Sequence, residues 1–300
     1  MSELNLNKLL ELGRFTAVLR DDARKFLKVG TSALEVIEFI EKRIFDNGYF
    51  PAFPATICIN EQAAHFTVFD EEVIFKKGDV IKVDFGVSDN GIITDNAFTV
   101  ELETEKYKKL LDANKEVLNN ILEKVSSGVT LDEIGEVSYN AAKKYGFNTI
   151  HNLCGHEIKS YDLHAGLSVP NYENGDMSKI LDGMELAIEP FLTDGEPMIK
   201  EVQGGNILSL KNTRPVRDAI AKKVLNHIIE NYPKLPFSKR WLLKEFDKKK
   251  VLYALNFLKR NGNVYEYGIL VSNNGGMISQ FEHTVVLSGG KKYIITSGVE

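Results

Sequence analysis

Residues 82–100 read KVDFGVSDNGIITDNAFTV, in which two apolar runs flank the dipeptide Asn90-Gly91. Asn-Gly between such runs is the strongest short signal for a β-hairpin with a two-residue loop. This loop places Gly86 opposite Asp95, and Asp84 lies two residues before Gly86. Opposed residues, and residues two apart on one strand, point to the same face of a sheet. The sequence therefore predicts that Asp84 and Asp95 share one face as diagonal neighbours.

Two carboxylates within reach of each other need a cation or a proton between them. The alternative is a pair of solvent-exposed aspartates near a turn, which is the usual place for carboxylates. A loop of odd length without a bulge would also separate them, because it would put them on opposite faces. The rest of the chain has to distinguish these interpretations.

The second half of the chain repeats spacings of the first half. Helix-like runs at 30–48 and 128–146 begin and end on glycines that are eighteen residues apart in both cases. Each run opens on a predicted capping box and follows a long amphipathic stretch with helical spacing. The capping residues are Ser32, Glu35, Thr130 and Glu133.

Acidic residues follow the same repeat. Asp84 lies six positions after a glycine in GDVIKVD, and Glu189 lies six positions after a glycine in GMELAIE. The hairpin partner of Glu189 should then be the counterpart of Asp95, and Glu282 in SQFEHTVVL is the candidate. It lies 93 residues beyond Glu189, whereas the first half needs 11. We therefore predict a small domain inserted into the second hairpin.

Three histidines are candidates for the same site. His156, in HNLCGHEIKSYDLHAG, can supply a fifth ligand beside four carboxylates, a set that suits a pair of divalent ions. The pattern from His151 to His156 also has zinc-like spacing, but the carboxylates favour harder ions and the spacing fits no closed structural site. His65 and His164 can donate a hydrogen bond or move a proton near neutral pH.

The composition is that of a folded protein of one or two domains: 300 residues, 43% of them hydrophobic. No apolar run reaches the roughly 18 residues of a membrane helix, and the charged start is unlike a secretory signal. The two cysteines favour a reducing compartment over a disulfide framework. We expect a cytoplasmic monomer without membrane contact.

The predicted insertion carries most of the positive charge. Residues 214–263 hold thirteen Lys or Arg and four Asp or Glu, a local net of +9 within a chain of net −5. Residues 215–231 are predicted to form a helix, Ser238 to cap a short helix, and a third helix to end before Gly262. With a following strand from Val264, this resembles a winged helix-turn-helix. The charge allows transient docking on ribosomal RNA, and a solvated lysine face is the alternative.

With these residues in hand, the chain resembles the methionine aminopeptidases of the pita-bread fold, most closely the compact archaeal form of the type II branch. The matching pieces are PAFPATICINEQAAHF, KVDFGVSDNGIITDNAF, NLCGHEIKSYDLHAG, AIEPF and QFEHTVVL. The resemblance implies an α+β, pseudo-two-fold duplicated fold with an inserted helical, winged-helix-like subdomain. It divides the chain into a catalytic domain, 1–194 and 272–300, and an insertion, 195–271.

The resemblance also implies two divalent metal ions, with cobalt, manganese, iron and zinc all compatible with the ligands. In the family pattern Asp84 chelates one ion, Asp95 and Glu282 bridge both, and His156 and Glu189 complete the ligand set of the second ion. Glu189 is also expected to act as the base that handles the proton of the attacking water.

The substrate-binding residues are implied in the same way. His65 and His164 match histidines that contact the scissile peptide, and Phe53 and Tyr267 match positions that line the methionine pocket. The expected function is removal of the N-terminal methionine from nascent proteins and peptides, with a preference for small second residues. N-terminal methionyl peptides and nascent chains are therefore the expected partners.

Two other functions remain open at this point. A proline-directed peptidase of the same fold carries the same five ligands, although such enzymes usually have a large extra N-terminal domain and lack this insertion. A catalytically silent relative that binds RNA is the other alternative, and the complete ligand set argues against it.

Overall fold

The computed structural model describes residues 3–298, which form two similar halves around a central sheet system, with a separate helical unit inserted in the second half. The first half contains α1 (Glu3–Phe26), α2 (Ala33–Asp46), β1 (Phe50–Pro51), β2 (Thr56–Ile59), β3 (Gln62–Ala64), β4 (Val80–Asp89) and β5 (Ile92–Glu101). The second half begins with α3 (Lys108–Lys124), α4 (Leu131–Tyr145), β6 (Asn148–Thr149), β7 (Cys154–Ile158), β8 (Ser168–Pro170), β9 (Glu185–Ile188) and β10 (Phe191–Thr193).

The inserted unit comprises β11 (Ile199–Leu210), α5 (Ala219–Asn231), β12 (Phe237–Ser238), a 3₁₀ helix (Lys239–Lys244), α6 (Lys248–Arg260) and β13 (Val264–Ser272). The second half then resumes with β14 (Ile278–Gln280), β15 (His283–Ser288) and β16 (Lys291–Ile294). None of the helices within residues 3–298 combines the length and apolar character that crossing a membrane requires.

The predicted repeat is present as a pair of helical hairpins with matching start signals. Ser32 caps α2 and Thr130 caps α4, and both form complete capping boxes with the glutamate three residues later. Each cap residue also forms an isolated antiparallel β-bridge, Ser32 with Ile74 in the first half and Thr130 with Lys179 in the second. Because these details recur, the two halves share one local architecture.

The β4–β5 hairpin has the register that the two-residue loop predicts. Asp84 pairs with Ala97, and Gly86 pairs with Asp95. Asn90 in the loop has a φ of 49°, the left-handed conformation that Asn tolerates and that such a loop requires. Asp84 and Asp95 consequently lie on one face of the sheet.

The main hydrophobic core lies between these sheets and the four helices of the two halves. It includes fully buried side chains from α2, β4 and β5, such as Ile40, Phe85 and Phe98. The helices therefore form the outer layer and the sheets carry the inner one, where the acidic residues project.

The inserted unit has a hydrophobic cluster of its own. Side chains of α5, the 3₁₀ helix and α6 pack together around Trp241 and Leu242. Its two long strands, β11 and β13, pair with each other, and β13 also pairs with β3 of the first half. The insertion is thus joined to the main body through a shared four-stranded sheet.

Two of the predicted insertion helices match closely and one begins later than expected. Ser238 caps the short helix, and α6 ends before Gly262, as predicted. The first helix begins at Ala219 rather than at 215, because the Asp218 side chain accepts hydrogen bonds from the N–H groups of Ile220 and Ala221. The division of the chain into a catalytic domain and an insertion of residues 195–271 stays a prediction.

A buried ion pair fixes the insertion on α2. Glu41 is 5% exposed, and its two carboxylate oxygens accept hydrogen bonds from Arg240 Nη2, both at 2.9 Å. The indole N–H of Trp241 donates to the same carboxylate at 2.8 Å. The Glu41 carboxylate on α2 therefore accepts hydrogen bonds from two groups of the insertion, the Arg240 guanidinium and the Trp241 indole.

Replacing Glu41 by alanine is expected to destabilise the protein by about 3–5 kcal/mol, because it leaves a buried guanidinium and an indole N–H without their acceptor. The free energy of unfolding can be measured by urea titration, with fluorescence of Trp241, the chain's single tryptophan, as the probe. Glu38→Ala on the exposed face of the same helix is the control and should cost less than about 0.5 kcal/mol. Equal stability losses in the two variants would contradict the role of this pair.

Candidate metal centre

The predicted site residues meet at one cavity of about 290 Å³ between the two halves. All nine line it, although they come from widely separated parts of the sequence: Phe53, His65, Asp84, Asp95, His156, His164, Glu189, Tyr267 and Glu282. The β4–β5 hairpin supplies two aspartates, β7 supplies His156, and the ends of β9 and β15 place the two glutamates. The walls also include apolar residues of the main body and the insertion, among them Leu163, Phe191 and Pro236.

His156 lies at the centre of the acidic cluster. Its Nε2 atom is 3.5 Å from Asp95 Oδ2 and 3.4 Å from Glu189 Oε1. One ligand atom each from Asp95, His156 and Glu282 lie within 4.8 Å of one another, and all three residues are buried. Asp84 joins the cluster from β4, where its carboxyl group faces Gln280.

Gln280 is a buried site residue that the sequence reasoning missed. Its Nε2 atom donates to Glu189 Oε2 at 3.2 Å and lies 3.4 Å from Asp84 Oδ2. It therefore connects corresponding carboxylates of the two halves. Its position two residues before Glu282, a spacing that keeps the same face of a strand, was the available signal.

Two buried threonines hold the strands of the two halves in register. Thr284 Oγ1 accepts a hydrogen bond from the Asp95 N–H at 2.7 Å and donates one to the Asp95 carbonyl at 2.6 Å. Thr99 Oγ1 makes the corresponding pair with the backbone of Gln280, at 2.9 and 2.6 Å. Each threonine thus fixes the backbone beside a site residue of the other half, and neither was recognised from the sequence.

Burial and crowding raise the pKa values of the acidic residues. Burial raises the pKa of Asp84 to about 7, against a smaller opposing effect of the Gln280 hydrogen bond. Burial first, and the neighbouring carboxylates second, raise the pKa values of Asp95, Glu189 and Glu282 well above their usual range. Four carboxyl groups in one buried space can ionise together only if a cation compensates their charge.

The histidines at the site are held neutral. Burial lowers the pKa of His156 to about 3 and that of His65 to about 4, with His164 adding to both shifts. The His156 and His164 rings meet edge to face at 4.4 Å, and the His65 ring lies 5.5 Å from the Tyr267 ring. Neutral imidazoles are the form that binds a metal and that donates a hydrogen bond without adding positive charge.

His65 also has an unusual backbone, with a φ of 68°. A non-glycine residue in the left-handed region is uncommon, and such strain costs on the order of 1–3 kcal/mol. Such a conformation persists where contacts with the surrounding structure stabilise it.

The donor set fits divalent metal ions. Within residues 3–298, the buried oxygens Oδ1 of Asp84, Oδ1 of Asp95 and both carboxylate oxygens of Glu282 have no hydrogen-bond partner. Buried carboxylate oxygens are otherwise almost always paired, and these point into a shared space with a neutral imidazole. Carboxylate oxygens with one imidazole are ligands that suit Mn, Fe, Co and Zn.

Comparisons with known proteins agree with this geometry. The model of metallopeptidase family M24 matches residues 7–288. Methionine aminopeptidase of Pyrococcus horikoshii is 40% identical over 95% of this chain and 97% of its own length, and that of Archaeoglobus fulgidus is 41% identical over 96% and 97%. The crystal structure of methionine aminopeptidase from Rickettsia prowazekii has the same fold, with a TM-score of 0.71 at 18% identity over 99% of this chain and 98% of that one.

The fold common to these proteins is the pita-bread fold, and its duplicated α+β architecture is the one described above. The family match covers the stretches that supply all five acidic and imidazole residues of the cluster. By sequence, by fold and by the composition of its buried site, the chain belongs to metallopeptidase family M24, among the methionine aminopeptidases.

Proposed function

We propose that this chain is a metal-dependent aminopeptidase that removes the N-terminal methionine from peptides and nascent proteins. The observation that carries the proposal is the convergence of two buried and two half-buried carboxyl groups, one neutral imidazole ligand and two further histidines on one cavity. The high identity to curated methionine aminopeptidases supports methionine as the residue removed.

In this proposal five residues hold two divalent ions: Asp84, Asp95, His156, Glu189 and Glu282. Asp95 and Glu282 would be the ligands shared by both ions, since each is crowded by carboxylates of both halves. When bound, the ions supply a water of lowered pKa, and hence a nucleophile near neutral pH. Cobalt, manganese, iron and zinc are all compatible with this donor set.

Three side chains of the protein have further roles in the reaction. Glu189, which lines the cavity, takes the proton of the attacking water and returns it to the leaving amine. His65 and His164 donate hydrogen bonds to the scissile carbonyl as negative charge develops on its oxygen. Because the pKa of His65 is about 4, its ring reaches that oxygen in the neutral form at physiological pH.

The cavity walls select the side chain of the first residue. Phe53 and Tyr267 line the cavity together with Leu163 and Phe191, and this apolar surface suits an unbranched thioether side chain. One methylene is worth only about 1–3 kcal/mol in such a pocket, so discrimination against norleucine-like chains is modest. A wall close beyond the pocket would give the preference for small second residues that we propose.

We also place the reaction in the cytoplasm, on nascent chains, with the enzyme acting as a monomer. The site is complete within one chain, since all nine residues come from it. Residues 195–271 contribute Tyr267 and Pro236 to the cavity, and we treat them as a subdomain that shapes the substrate pocket.

The function is tested by cleavage of Met-Ala-Ser and of an Xaa-Pro dipeptide by metal-loaded protein. Release of free methionine from the tripeptide, with little cleavage of the proline substrate, is the expected result. Cleavage of the proline peptide alone would assign the chain to the prolidase-like branch, and no cleavage of either would favour a silent binding protein.

Metal affinity is expected to weaken as the pH falls below about 7. Asp84 titrates at about 7 and its neighbours have raised pKa values, so below this pH the metal has to displace protons. Each displaced proton weakens binding by up to about tenfold per pH unit. Isothermal titration of metal into the metal-free protein, in buffers of different ionisation enthalpy, measures both the affinity and the protons released. A constant affinity between about pH 6 and 8 without proton release would contradict the raised pKa values.

A further inference from the structure

The strained backbone of His65 is enclosed by a bulge in β11, the first long strand of the insertion. The pairing of β11 with β13 shifts between Val202 and Ile207. Within this bulge Gly204 and Asn206 have φ values of 102° and 64°, both in the left-handed region. The bulge therefore carries the same unusual conformation as His65 and lies against it.

Gly205 is the point of closest approach. A Cβ atom at this position would lie 2.6 Å from the His65 carbonyl oxygen and 2.3 Å from the Tyr267 carbonyl oxygen, so only glycine fits. The Gly205 carbonyl accepts a hydrogen bond from the Thr67 N–H at 3.2 Å. The bulge thus contacts the chain at the His65 carbonyl and again two residues later, at Thr67.

Asn206 ties residues 65–71 to the insertion through its side-chain amide. It is 3% exposed, and its Nδ2 atom donates to the Thr67 carbonyl at 2.9 Å and to Glu71 Oε1 at 3.1 Å. The other carboxylate oxygen of Glu71 accepts the N–H groups of Phe69 and Asp70. One buried amide therefore holds both ends of the segment that follows His65.

The insertion in turn holds Asn206. Lys239 Nζ donates to Asn206 Oδ1 at 3.1 Å, and Lys239 is itself paired with Glu266, which also pairs with Lys259. Asn206 is not among the residues that line the cavity. Its amide consequently has contacts on the insertion side and on the His65 side, and none with the space where substrate binds.

We propose that Asn206 is a positioning residue for His65, holding the segment 65–71 so that the His65 ring stays aimed at the scissile peptide. The proposal rests on the proposed function, in which His65 stabilises the developing oxyanion. It assigns the insertion a second part in the reaction, beyond the pocket wall formed by Tyr267.

The test is Asn206→Asp, compared with Asn212→Asp. Aspartate keeps the shape of asparagine and tolerates the left-handed backbone, but it replaces the two N–H donors with an oxygen that faces the Thr67 carbonyl and Glu71. Asn212 makes similar amide hydrogen bonds elsewhere in the insertion, to the Gly262 carbonyl among others. We expect Asn206→Asp to lower kcat for Met-Ala-Ser by about 10- to 100-fold, as a small misplacement of a catalytic group does.

Other readouts separate positioning from a general structural defect. KM and the metal affinity of the metal-free protein should stay within about threefold of wild type, and Asn212→Asp should leave kcat unchanged. Asn206→Gly, which keeps the backbone freedom and removes the amide, should lower kcat like Asn206→Asp. Wild-type kcat in Asn206→Gly, or in an Asn206→Asp variant that folds, would overturn the proposal.

A double-substitution cycle tests whether Asn206 acts through His65. In a His65→Ala background, Asn206→Asp should lower kcat no further, because the group it positions is gone. The same loss in both backgrounds would overturn the proposal, since Asn206 would then act independently of His65.

A separate measurement covers failure of the proposed function. If the wild-type chain released no methionine, the proposed function would fail. The contact between Asn206 and the His65 segment would still be measurable, from the hydrogen exchange rates of the backbone amides of residues 65–71. Asn206→Asp should speed this exchange while Asn212→Asp should not. Unchanged exchange in Asn206→Asp would overturn the positioning role on its own.

Discussion

Replacing Glu282 by alanine is expected to abolish cleavage of methionyl peptides while leaving the metal-free fold intact. Glu282 is 1% exposed, and neither carboxylate oxygen has a hydrogen-bond partner within residues 3–298. Its pKa is raised by burial and by Asp95, Glu189 and Asp84, in that order. The side chain therefore gives no contact to the metal-free protein that alanine would lose, apart from packing.

The loss of activity should be larger than that of an ordinary site substitution. Loss of a group that merely supports a metal ligand costs about 10- to 100-fold in metal affinity or activity. Loss of Glu282 should exceed this range, because in the proposed site it would be a ligand of both ions.

Two measurements check this result. Metal should raise the thermal midpoint of the wild-type protein, in proportion to the logarithm of its concentration above Kd, and should raise that of Glu282→Ala far less. Bound metal after equilibration should fall in parallel. Glu136→Ala on the exposed face of α4 is the control and should behave as wild type. Full turnover of Glu282→Ala in excess metal would contradict the bridging role.

The parts of the site that sequence could predict are those fixed by local rules. The loop Asn90-Gly91 permits one register, so the shared face of Asp84 and Asp95 follows from the order of residues in one hairpin. The recurrence of glycine and carboxylate spacing then identifies Glu189 without any tertiary information. Glu282 needed one further assumption, that an insertion separates the two strands of the second hairpin, and the pairing of β9 with β15 agrees with it.

The parts that sequence could not predict depend on contacts between distant segments. Gln280 connects two carboxylates that lie 196 and 91 residues away in the chain, so its spacing from Glu282 could mark it as a site residue but could not give these contacts. The left-handed backbone of His65 lies against Gly205 of the insertion, and Asn206 bonds Thr67 across 139 residues. A histidine gives no conformational signal of the kind that glycine gives, so this strain emerges only in the folded chain.

Replacing His65 by alanine is expected to lower kcat by about 10²- to 10³-fold, the usual loss when one donor to a developing oxyanion is removed. Metal content should stay at the wild-type level, because within residues 3–298 the clustered ligand atoms belong to Asp95, His156 and Glu282, whereas the His65 ring meets Tyr267 edge to face. The expected signature is thus a loss of turnover at unchanged metal affinity. This result differs from the one expected for Glu282→Ala, in which turnover and metal affinity are lost together.

The pH dependence offers a further check on His65, with its sign set by the lowered pKa. The ring is neutral above about 4, so wild-type turnover should show no loss from protonation of His65 between pH 4.5 and 6.5, where an ordinary histidine titrates. Any fall of activity in that range should instead follow metal loss from the carboxylates, and should be reversed by added metal. His227→Ala in α5, outside the cavity, is the control for removal of an imidazole. If His65→Ala lost its metal, His65 would be a ligand; if it kept full turnover, the oxyanion would have to be stabilised by His164 and the metal centre alone.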